Sequence, residues 1–264
     1  MMLPFIFIIT SRDYFKMQAT VKDLIFLSDV SPLTRRWSYE FFPPDMSELR
    51  VVLLGNCWTQ RCLVGNLLLS EDIFNMSAES QSSKKSSGPL TDKKITVINT
   101  PDLLHPDFTE EELKNKIEEF ADASEPGPHV LLLVLQPEDF TSQQQQRLQK
   151  VLEMFSENSF DHSMVLISTD REESVTYTEK TPLGQMIRKC RYRFMWMKNC
   201  TEEEEERGVK DFKFAELFSR LSQIVKENQG HNLTYEDLKI PLLLLTPGTR
   251  RQQAASWQRF RKLD

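Results

Sequence analysis

The feature that most constrains the fold is an apolar, strand-like run, residues 49–54, that ends in a glycine and continues with the spacing of a phosphate-binding loop. Such a loop reads G-x-x-x-x-G-K-[S/T] between a strand and a helix, because backbone N–H groups and a helix N-terminus hold the phosphates. Here Gly55 is followed by Gln60 at the second glycine, Arg61 at the lysine and Cys62 at the hydroxyl. The pattern predicts a nucleotide-binding fold whose phosphate-binding side chains have been replaced.

Length and composition favour one α/β domain with extensions at both ends. The chain has 264 residues, of which 39% are hydrophobic, and this is enough to bury a full core. The periodic part runs over residues 47–228. We therefore expect an N-terminal extension over 1–46 and a C-terminal tail over 229–264.

Charge and cysteine usage exclude several classes of protein. A net charge of −6 argues against nucleic-acid binding, which needs clustered Lys and Arg over a whole face. The cysteines have neither zinc-ligand spacing nor the density of a secreted scaffold, which indicates reduced thiols in a cytoplasmic protein; they are Cys57, Cys62, Cys190 and Cys200. The apolar opening, residues 1–9, is too short to cross a bilayer, so we expect no transmembrane segment. The basic, aromatic end of the tail, residues 250–262, is better suited to a surface helix or disorder than to membrane contact.

Short apolar runs alternate with longer helical stretches from residue 49 onward. This alternation predicts βαβ units, and the near-continuous apolar character of the runs predicts strands buried on both faces. The fold class is therefore α/β, with a mostly parallel central sheet and helices on both faces. The predicted strands are Arg50–Leu54, Ile95–Ile98, Val130–Leu135, Met164–Ile167 and Phe194–Met197.

Local signals place several boundaries between these strands. Thr109 and Thr141 each begin a capping box, in which the Thr hydroxyl and the side chain three residues later satisfy free N–H groups of a helix start. A closing amphipathic helix is predicted over residues 209–225. The Ser- and Lys-rich stretch Ser77–Gly88 is predicted to be a mobile loop before the second strand.

Five motifs together resemble the GIMAP/IAN family of AIG-type GTPases, over residues 49–228 and with most similarity to diverged fish members. They are the strand and loop with its Gly55-Asn56 pair, Asn99–Leu104, the P-G-P-H element with the strand after it (Pro126–Val134), Phe140–Gln144 and Cys190–Arg193. The resemblance implies a P-loop NTPase-like G domain.

The family's P-loop reads G-K-T-G-S-G-K-S, and its resemblance assigns the nucleotide-contacting positions to Gly55, Asn56, Cys57, Trp58, Thr59, Gln60, Arg61, Cys62 and Leu63. Trp58 and Gln60 stand where the family has glycine, and their side chains would crowd a phosphate. Trp58 could plug the vacated site or stack on a base. Arg61 keeps a positive charge, but its planar fork does not replace a compact ammonium.

The residues that would handle Mg²⁺ are also changed. The thiol of Cys62 is a poor ligand for a hard, oxygen-seeking cation. Asn99 replaces the Asp of the family's D-T-P-G turn and removes an anionic partner. We expect GTP or GDP binding to be weakened or lost, Mg²⁺ to be absent, and no residue to be catalytic.

The resemblance also points to the base-binding side. Asp170, or else Glu172, follows the fourth predicted strand where the family reads the guanine ring with Asp, and Asn199 matches an Asn near the base. The first switch of a G domain corresponds to residues 77–91, where no single Ser or Thr is assigned.

Three functions are compatible with these residues. The first is a degenerate G domain that acts as an immune-associated assembly module, in homo- or hetero-oligomers with other GIMAP-like G domains. The second is a working guanine-nucleotide switch with slow or no GTPase activity. The third is a redox sensor that uses Cys57 and Cys62 at a helix N-terminus, where a thiol pKa can fall, although two small packed side chains explain these cysteines better.

Overall fold

The computed structural model describes residues 42–43, 46–90, 93–169, 180–197 and 209–235, with the side chains of 209–212 left undescribed. Within this part of the chain the fold is a six-stranded sheet with helices on both faces, as the sequence predicts. The strand order is β2-β3-β1-β4-β5-β6. All neighbouring strands are parallel except β2, which pairs antiparallel with β3.

The strands occupy the positions predicted from the apolar runs, with one addition at the edge. Parallel neighbours need crossover connections, and the alternation of strand and helix along the chain supplies them. The strands are β1 (Glu48–Gly55), β2 (Lys84–Leu90), β3 (Lys93–Asn99), β4 (Val130–Leu135), β5 (Ser163–Ser168) and β6 (Phe194–Met197).

Both predicted capping boxes are confirmed. The hydroxyl of Thr109 accepts from the N–H of Glu112, and that of Thr141 accepts from the N–H of Gln144, with the reciprocal bonds also present. The helices are α1 (Trp58–Leu69), α2 (Glu110–Ala123), α3 (Ser142–Phe155), α4 (Pro182–Lys189) and α5 (Val209–Glu227), and a short 3-10 helix spans Ser159–His162. The predicted closing helix is α5.

Strand alternation divides the core between the two faces of the sheet. In β1, Leu53 faces the layer formed by α1 and α5, whereas Leu54 faces the layer formed by α2, α3 and α4. Every position of β4 and β5 is buried, as expected for central strands covered on both sides. None of the described helices is long and apolar enough to cross a membrane.

The predicted mobile loop at Ser77–Gly88 is wrong, because its second half belongs to β2. The Ser87 hydroxyl lies 2.7 Å from the hydroxyl of Thr96 on β3. The first half is irregular but anchored to α2, since Lys116 Nζ donates to the Gln81 carbonyl at 2.6 Å and Glu119 Oε1 accepts from the Ser83 N–H at 2.6 Å. An edge strand has little apolar surface to bury, and polar composition therefore concealed it.

A cluster of polar contacts joins the amino ends of β1 and β4. It is formed by Glu48, Arg50, Gly127 and His129, and we call it the amino-edge cluster. Arg50 Nε donates to the Gly127 carbonyl at 2.6 Å, and Arg50 Nη1 donates to Glu48 at 3.0 Å. The Arg50 backbone N–H donates to His129 Nδ1 at 2.9 Å. Because an amide N–H can only donate, His129 is the neutral tautomer with its proton on Nε2.

The segment after α5 packs on the same edge. The Leu233 N–H donates to the Pro128 carbonyl at 2.8 Å, and the Leu233 side chain is buried in the core. Gly127 has a φ of +130°, and a Cβ there would lie 1.7 Å from the Leu233 carbonyl oxygen. At the other end of the described chain, Pro43 lies close to Gly230, since a Cβ at Gly230 would be 3.2 Å from Pro43 Cγ.

Candidate phosphate-binding loop

Residues 55–62 connect the carboxyl end of β1 to the start of α1. In the strand order β2-β3-β1-β4-β5-β6, the chain passes from β1 to β2 and β3 on one side, and then from β3 to β4 on the other side of β1. Ligands of such sheets bind at this switch point, outside the carboxyl ends of the strands. Gly55 is required here by packing: a Cβ at this position would lie 1.8 Å from the Val134 carbonyl oxygen on β4. The surviving glycine of the motif therefore allows close approach of two strands, whatever the loop binds.

Asn56 fixes the loop to the end of β4. Its Nδ2 donates to the Gln136 carbonyl at 3.1 Å, and its Oδ1 accepts from the Gln136 N–H at 2.9 Å. Cys57 is the N-cap residue of α1 but its side chain makes no capping hydrogen bond. Of the other predicted loop positions, Thr59 is exposed and Leu63 is half-buried.

Arg61 fills the inside of the loop. Its side chain is fully buried, Nη1 donates to the Gly55 carbonyl oxygen, and Nη2 forms an ion pair with Glu79 Oε1 at 2.8 Å. Glu79 belongs to the segment between α1 and β2. The guanidinium at the lysine position is thus bonded on one side to its own loop and on the other to an acidic side chain of the same chain.

The charge of Arg61 is buried and compensated locally. Burial lowers the pKa of Arg61, while the nearby charges of Glu79 and Asp102 act in the opposite direction. The Trp58 ring lies beside the guanidinium, with the Arg61 Cζ atom 5.7 Å from the ring centroid. Arg61 Nε is buried and has no hydrogen-bond partner in the described part of the chain.

Trp58 is tied to the segment that carries Glu79. Its Nε1 donates to the Asn75 carbonyl at 3.1 Å, and its ring packs partly against the core layer of α1 and α5. Asn66 continues this attachment, because its Oδ1 accepts from the Phe74 N–H at 2.7 Å. The group that occupies the loop interior is Arg61, and Trp58 lies against it as part of the attachment to residues 74–79.

Cys62 and Asn99 meet beneath the loop. Asn99 Nδ2 lies 3.5 Å from Cys62 Sγ, and Sγ lies 3.6 Å from the Asn75 carbonyl oxygen. Burial raises the pKa of Cys62 to about 11. The Cys62 thiol is therefore protonated at neutral pH, which argues against a redox role for Cys62. Asn99 Oδ1 is buried, and no described residue donates a hydrogen bond to it.

Gln60 reaches across the sheet edge toward the base-binding side. Its Oε1 accepts from the Ser168 hydroxyl at 2.5 Å, at the end of β5. Thr169 then donates to Glu138 Oε1 at 2.7 Å. Asp170 and Asn199, the predicted base-contacting residues, and Glu172 lie outside the described residues, and their roles stay predictions.

Two residues of the site were missed by sequence reasoning, Glu79 and Ser168. Glu79 lies in a polar stretch without periodicity, and Ser168 is 108 residues away from its partner Gln60. Only the charge left at Arg61 could have indicated a need for an acidic partner. No local pattern indicates which acid supplies it.

The positions that would handle a metal present a thiol at Cys62 and an amide at Asn99. Among the residues that the structure describes, no three His, Cys, Asp or Glu side chains are grouped so that they could hold a metal ion. Thr100, next to Asn99, is used by the fold, because its hydroxyl donates to the Leu53 carbonyl at 2.9 Å. The Cys62 thiol does not match the oxygen ligands that Mg²⁺ prefers, and Asn99 offers an uncharged amide oxygen in place of a carboxylate.

The parallel sheet, the strand order and the loop after β1 define a G domain of the P-loop type. The AIG1 family signature matches residues 49–240. The chain belongs to the AIG1 family, the group of GIMAP/IAN proteins that its motifs resemble.

Relatives of known name agree with this assignment. The chain is 26% identical to human GTPase IMAP family member 8 over 196 residues, which are 70% of this chain and 29% of that protein. It is 23% identical to Immune-associated nucleotide-binding protein 2 of Arabidopsis thaliana over 72% of this chain and 85% of that protein. The chain thus spans less than a third of the length of the mammalian relatives it matches.

Solved structures show the same fold. The Toc33 structure from Arabidopsis thaliana with Mg²⁺ and GMPPNP has a TM-score of 0.55 at 14% identity, over 72% of this chain and 89% of that one. Toc33 with GDP and Mg²⁺ has a TM-score of 0.54 at 13% identity, over 73% and 89%. At this identity the likeness concerns the fold alone.

Proposed function

We propose that this chain is an AIG1-type G domain that binds guanine nucleotide weakly or not at all, does not use Mg²⁺, and acts as an assembly module for related G domains. The observation that carries the proposal is the state of Arg61. A P-loop lysine extends to the phosphates, whereas this guanidinium is buried, bonded to Gly55 and paired with Glu79.

The path of a nucleotide along the sheet edge supports the same conclusion. The Gln60 side chain bonds to Ser168 at the end of β5, so it extends across the direction from the phosphate side to the base side. Cys62 and Asn99 offer no charged oxygen for a metal. Phosphoryl transfer depends on positioning and charge neutralisation, and the described part of the site has Cys62 and Asn99 where the family has a hydroxyl and a carboxylate.

The names of the relatives suggest the setting. One Toc33 structure is described as a dimerization-deficient mutant, and its TM-score to this chain is 0.54. The plant relative is named as immune-associated. We infer that the partner is a second copy of this chain or another AIG1-type G domain, in the cytoplasm and in an immune-associated role.

Calorimetric titration of the full chain with GTP and GDP, each with and without Mg²⁺, tests the loss of nucleotide binding. We expect no saturable Mg²⁺-dependent binding in the micromolar range, and Toc33 serves as the control that binds GDP and Mg²⁺. Micromolar binding that requires Mg²⁺ would overturn the proposal. It would support the alternative of a guanine-nucleotide switch, in which Arg61 leaves Glu79 and contacts phosphate.

Sedimentation velocity tests the assembly role. The full chain is examined alone and mixed with a related AIG1-type G domain, each with EDTA and with Mg²⁺-GTP. We expect association in at least one of these samples. For the chain on its own, the sedimentation coefficient should be the same with EDTA and with Mg²⁺-GTP. A monomer under every condition would refute the assembly role without touching the proposal on nucleotide binding.

A further inference from the structure

The ion pair inside the loop carries a further inference, which rests on the function proposed above. We propose that the Glu79 carboxylate is a built-in anion that occupies Arg61 in place of a phosphate. Removal of this carboxylate then converts the loop into a metal-independent site for small oxyanions such as pyrophosphate.

The two partners differ in their access to water. The Arg61 side chain is 0% exposed, whereas the Glu79 side chain is 38% exposed. A buried guanidinium needs an anionic partner, because solvent cannot compensate its charge. Glu79 can be solvated without Arg61, but Arg61 cannot be solvated without leaving the core. The position beside Arg61 is therefore an anion site in which the carboxylate is the exchangeable member.

The guanidinium has unused capacity for an oxyanion. Nη2 binds Glu79 and Nη1 binds Gly55, while Nε is buried and has no partner among the residues that the structure describes. Guanidinium groups bind phosphate oxygens through pairs of neighbouring N–H donors. Two oxygens of a phosphate at this place would bind Nε and Nη2 together. The Glu79 carboxylate binds Nη2 through one oxygen and leaves Nε unused.

The segment that presents Glu79 is held by contacts independent of the ion pair. Asn66 Oδ1 accepts from the Phe74 N–H at 2.7 Å, and Trp58 Nε1 donates to the Asn75 carbonyl at 3.1 Å. These bonds keep residues 74–75 on α1 whether or not Glu79 carries a charge. Removal of the carboxylate is therefore expected to leave the segment attached and the anion position open.

The test is a calorimetric titration of the full chain with pyrophosphate in EDTA, for the wild type and for Glu79→Ala. We expect the variant to bind at least about tenfold more tightly than the wild type, which corresponds to about 1.4 kcal/mol. Glu71→Ala is the matched control, since Glu71 is an exposed acid before the same segment. The double variant Arg61→Met with Glu79→Ala should lose the gain, because the cation is gone.

Thermal unfolding keeps the proposal testable where Glu79→Ala is unstable. Pyrophosphate should raise the Tm of Glu79→Gln and Glu79→Ala but not that of the wild type, because a ligand stabilises the state that binds it. Equal binding by wild type and variants, or a gain that persists without Arg61, would overturn the inference. Either result would leave the proposed function intact. Mg²⁺-dependent GTP binding by the wild type is the separate result that would refute the proposed function.

Discussion

The two ends of β1 differ in how their buried polar atoms are hydrogen-bonded. At the amino end, the Arg50 N–H donates to His129 Nδ1, and the Arg50 guanidinium donates to the Gly127 carbonyl and to Glu48. At the carboxyl end, Arg61 Nε and Asn99 Oδ1 are buried and find no partner within the described ranges. The amino end contains the intact P-G-P-H element of the family, whereas the carboxyl end has replaced residues at its phosphate and metal positions.

The polar and packing contacts at both ends of β1 stabilise the fold. Buried polar groups are normally satisfied, and unsatisfied ones mark strain or a missing ligand or water. At the amino end, Arg50 makes its bonds to Gly127, Glu48 and His129, all within the protein. The carboxyl end uses Gly55 and Asn56 for strand and loop packing, and these contacts do not depend on what the loop binds.

The largest expected effect tests whether Gly55 serves packing. Gly55→Ala places a Cβ 1.8 Å from the Val134 carbonyl oxygen, which forces β1 and β4 apart. We expect the free energy of unfolding to fall by about 4 kcal/mol, measured by urea denaturation without nucleotide. Gly88→Ala is the control, because its Cβ would lie 3.5 Å from the nearest atom and should change stability by less than about 0.5 kcal/mol. Equal effects of both variants would contradict the packing role.

The next effect measures the amino-edge cluster. Arg50→Met removes the buried cation and leaves the Gly127 carbonyl without its donor, with an expected loss of about 3 kcal/mol in chemical denaturation. Lys94→Met is a matched control, since Lys94 also pairs with Glu48 but its side chain is 54% exposed. Surface pairs of this kind contribute at most about 1 kcal/mol. A loss at Arg50 no greater than that at Lys94 would show that the cluster is not essential for stability.

Acid sensitivity should arise at the amino end, through His129. Burial and the neighbouring Arg50 lower the pKa of His129 to about 3, against about 6.5 in the unfolded chain. Between these values the unfolded state binds more protons, so stability is present above about pH 6.5 and declines as the pH falls toward 3.

His129→Asn keeps an acceptor for the Arg50 N–H but cannot be protonated. From pH 7 to pH 5, the wild type should lose about 2 kcal/mol more than His129→Asn in the free energy of unfolding. Urea titrations at both pH values measure the difference. Parallel pH profiles would show that His129 is not buried in its neutral form. Glu48 does not account for the difference, because its pKa is about 2 and it titrates mainly below this range.

The smallest effect concerns the carboxyl end. Asn56→Ala removes two hydrogen bonds to the backbone of Gln136, and we expect a loss of about 1 kcal/mol. Thr59→Ala, at an exposed loop position, should be neutral within about 0.5 kcal/mol. A neutral Asn56→Ala would mean that this end of β1 contributes little to stability beyond Gly55.

The sequence predicts the central architecture because that part of the chain has strong local signals. The apolar runs correspond to β1 and β3 to β6, and the Thr109 and Thr141 capping boxes are both formed. β2 was missed because an edge strand of Lys, Ser, Gly and Pro has no apolar period. Its pairing with β3 depends on the backbone, which leaves no pattern in side-chain polarity.

The sequence predicts which residues form the loop of the candidate site, but it does not predict which side chains those residues contact. The replacements at Gln60, Arg61 and Cys62 are visible in the chain, and all three lie at the loop as expected. The partners Glu79 and Ser168 depend on the geometry of segments that are distant in sequence. Without a periodic or motif signal at these positions, only the folded arrangement identifies them.

The closeness of Pro43 and Gly230 gives the folded unit a modular form. The chain enters the unit beside the turn that follows α5, so the unit can be inserted into a longer polypeptide, or repeated in tandem, without stretching its neighbours. A circular permutant that keeps Leu233 in the core, joins residues 42 and 235 with a flexible linker and opens the chain at an exposed turn should fold. Portability of this kind is what a domain needs in order to be reused in larger proteins.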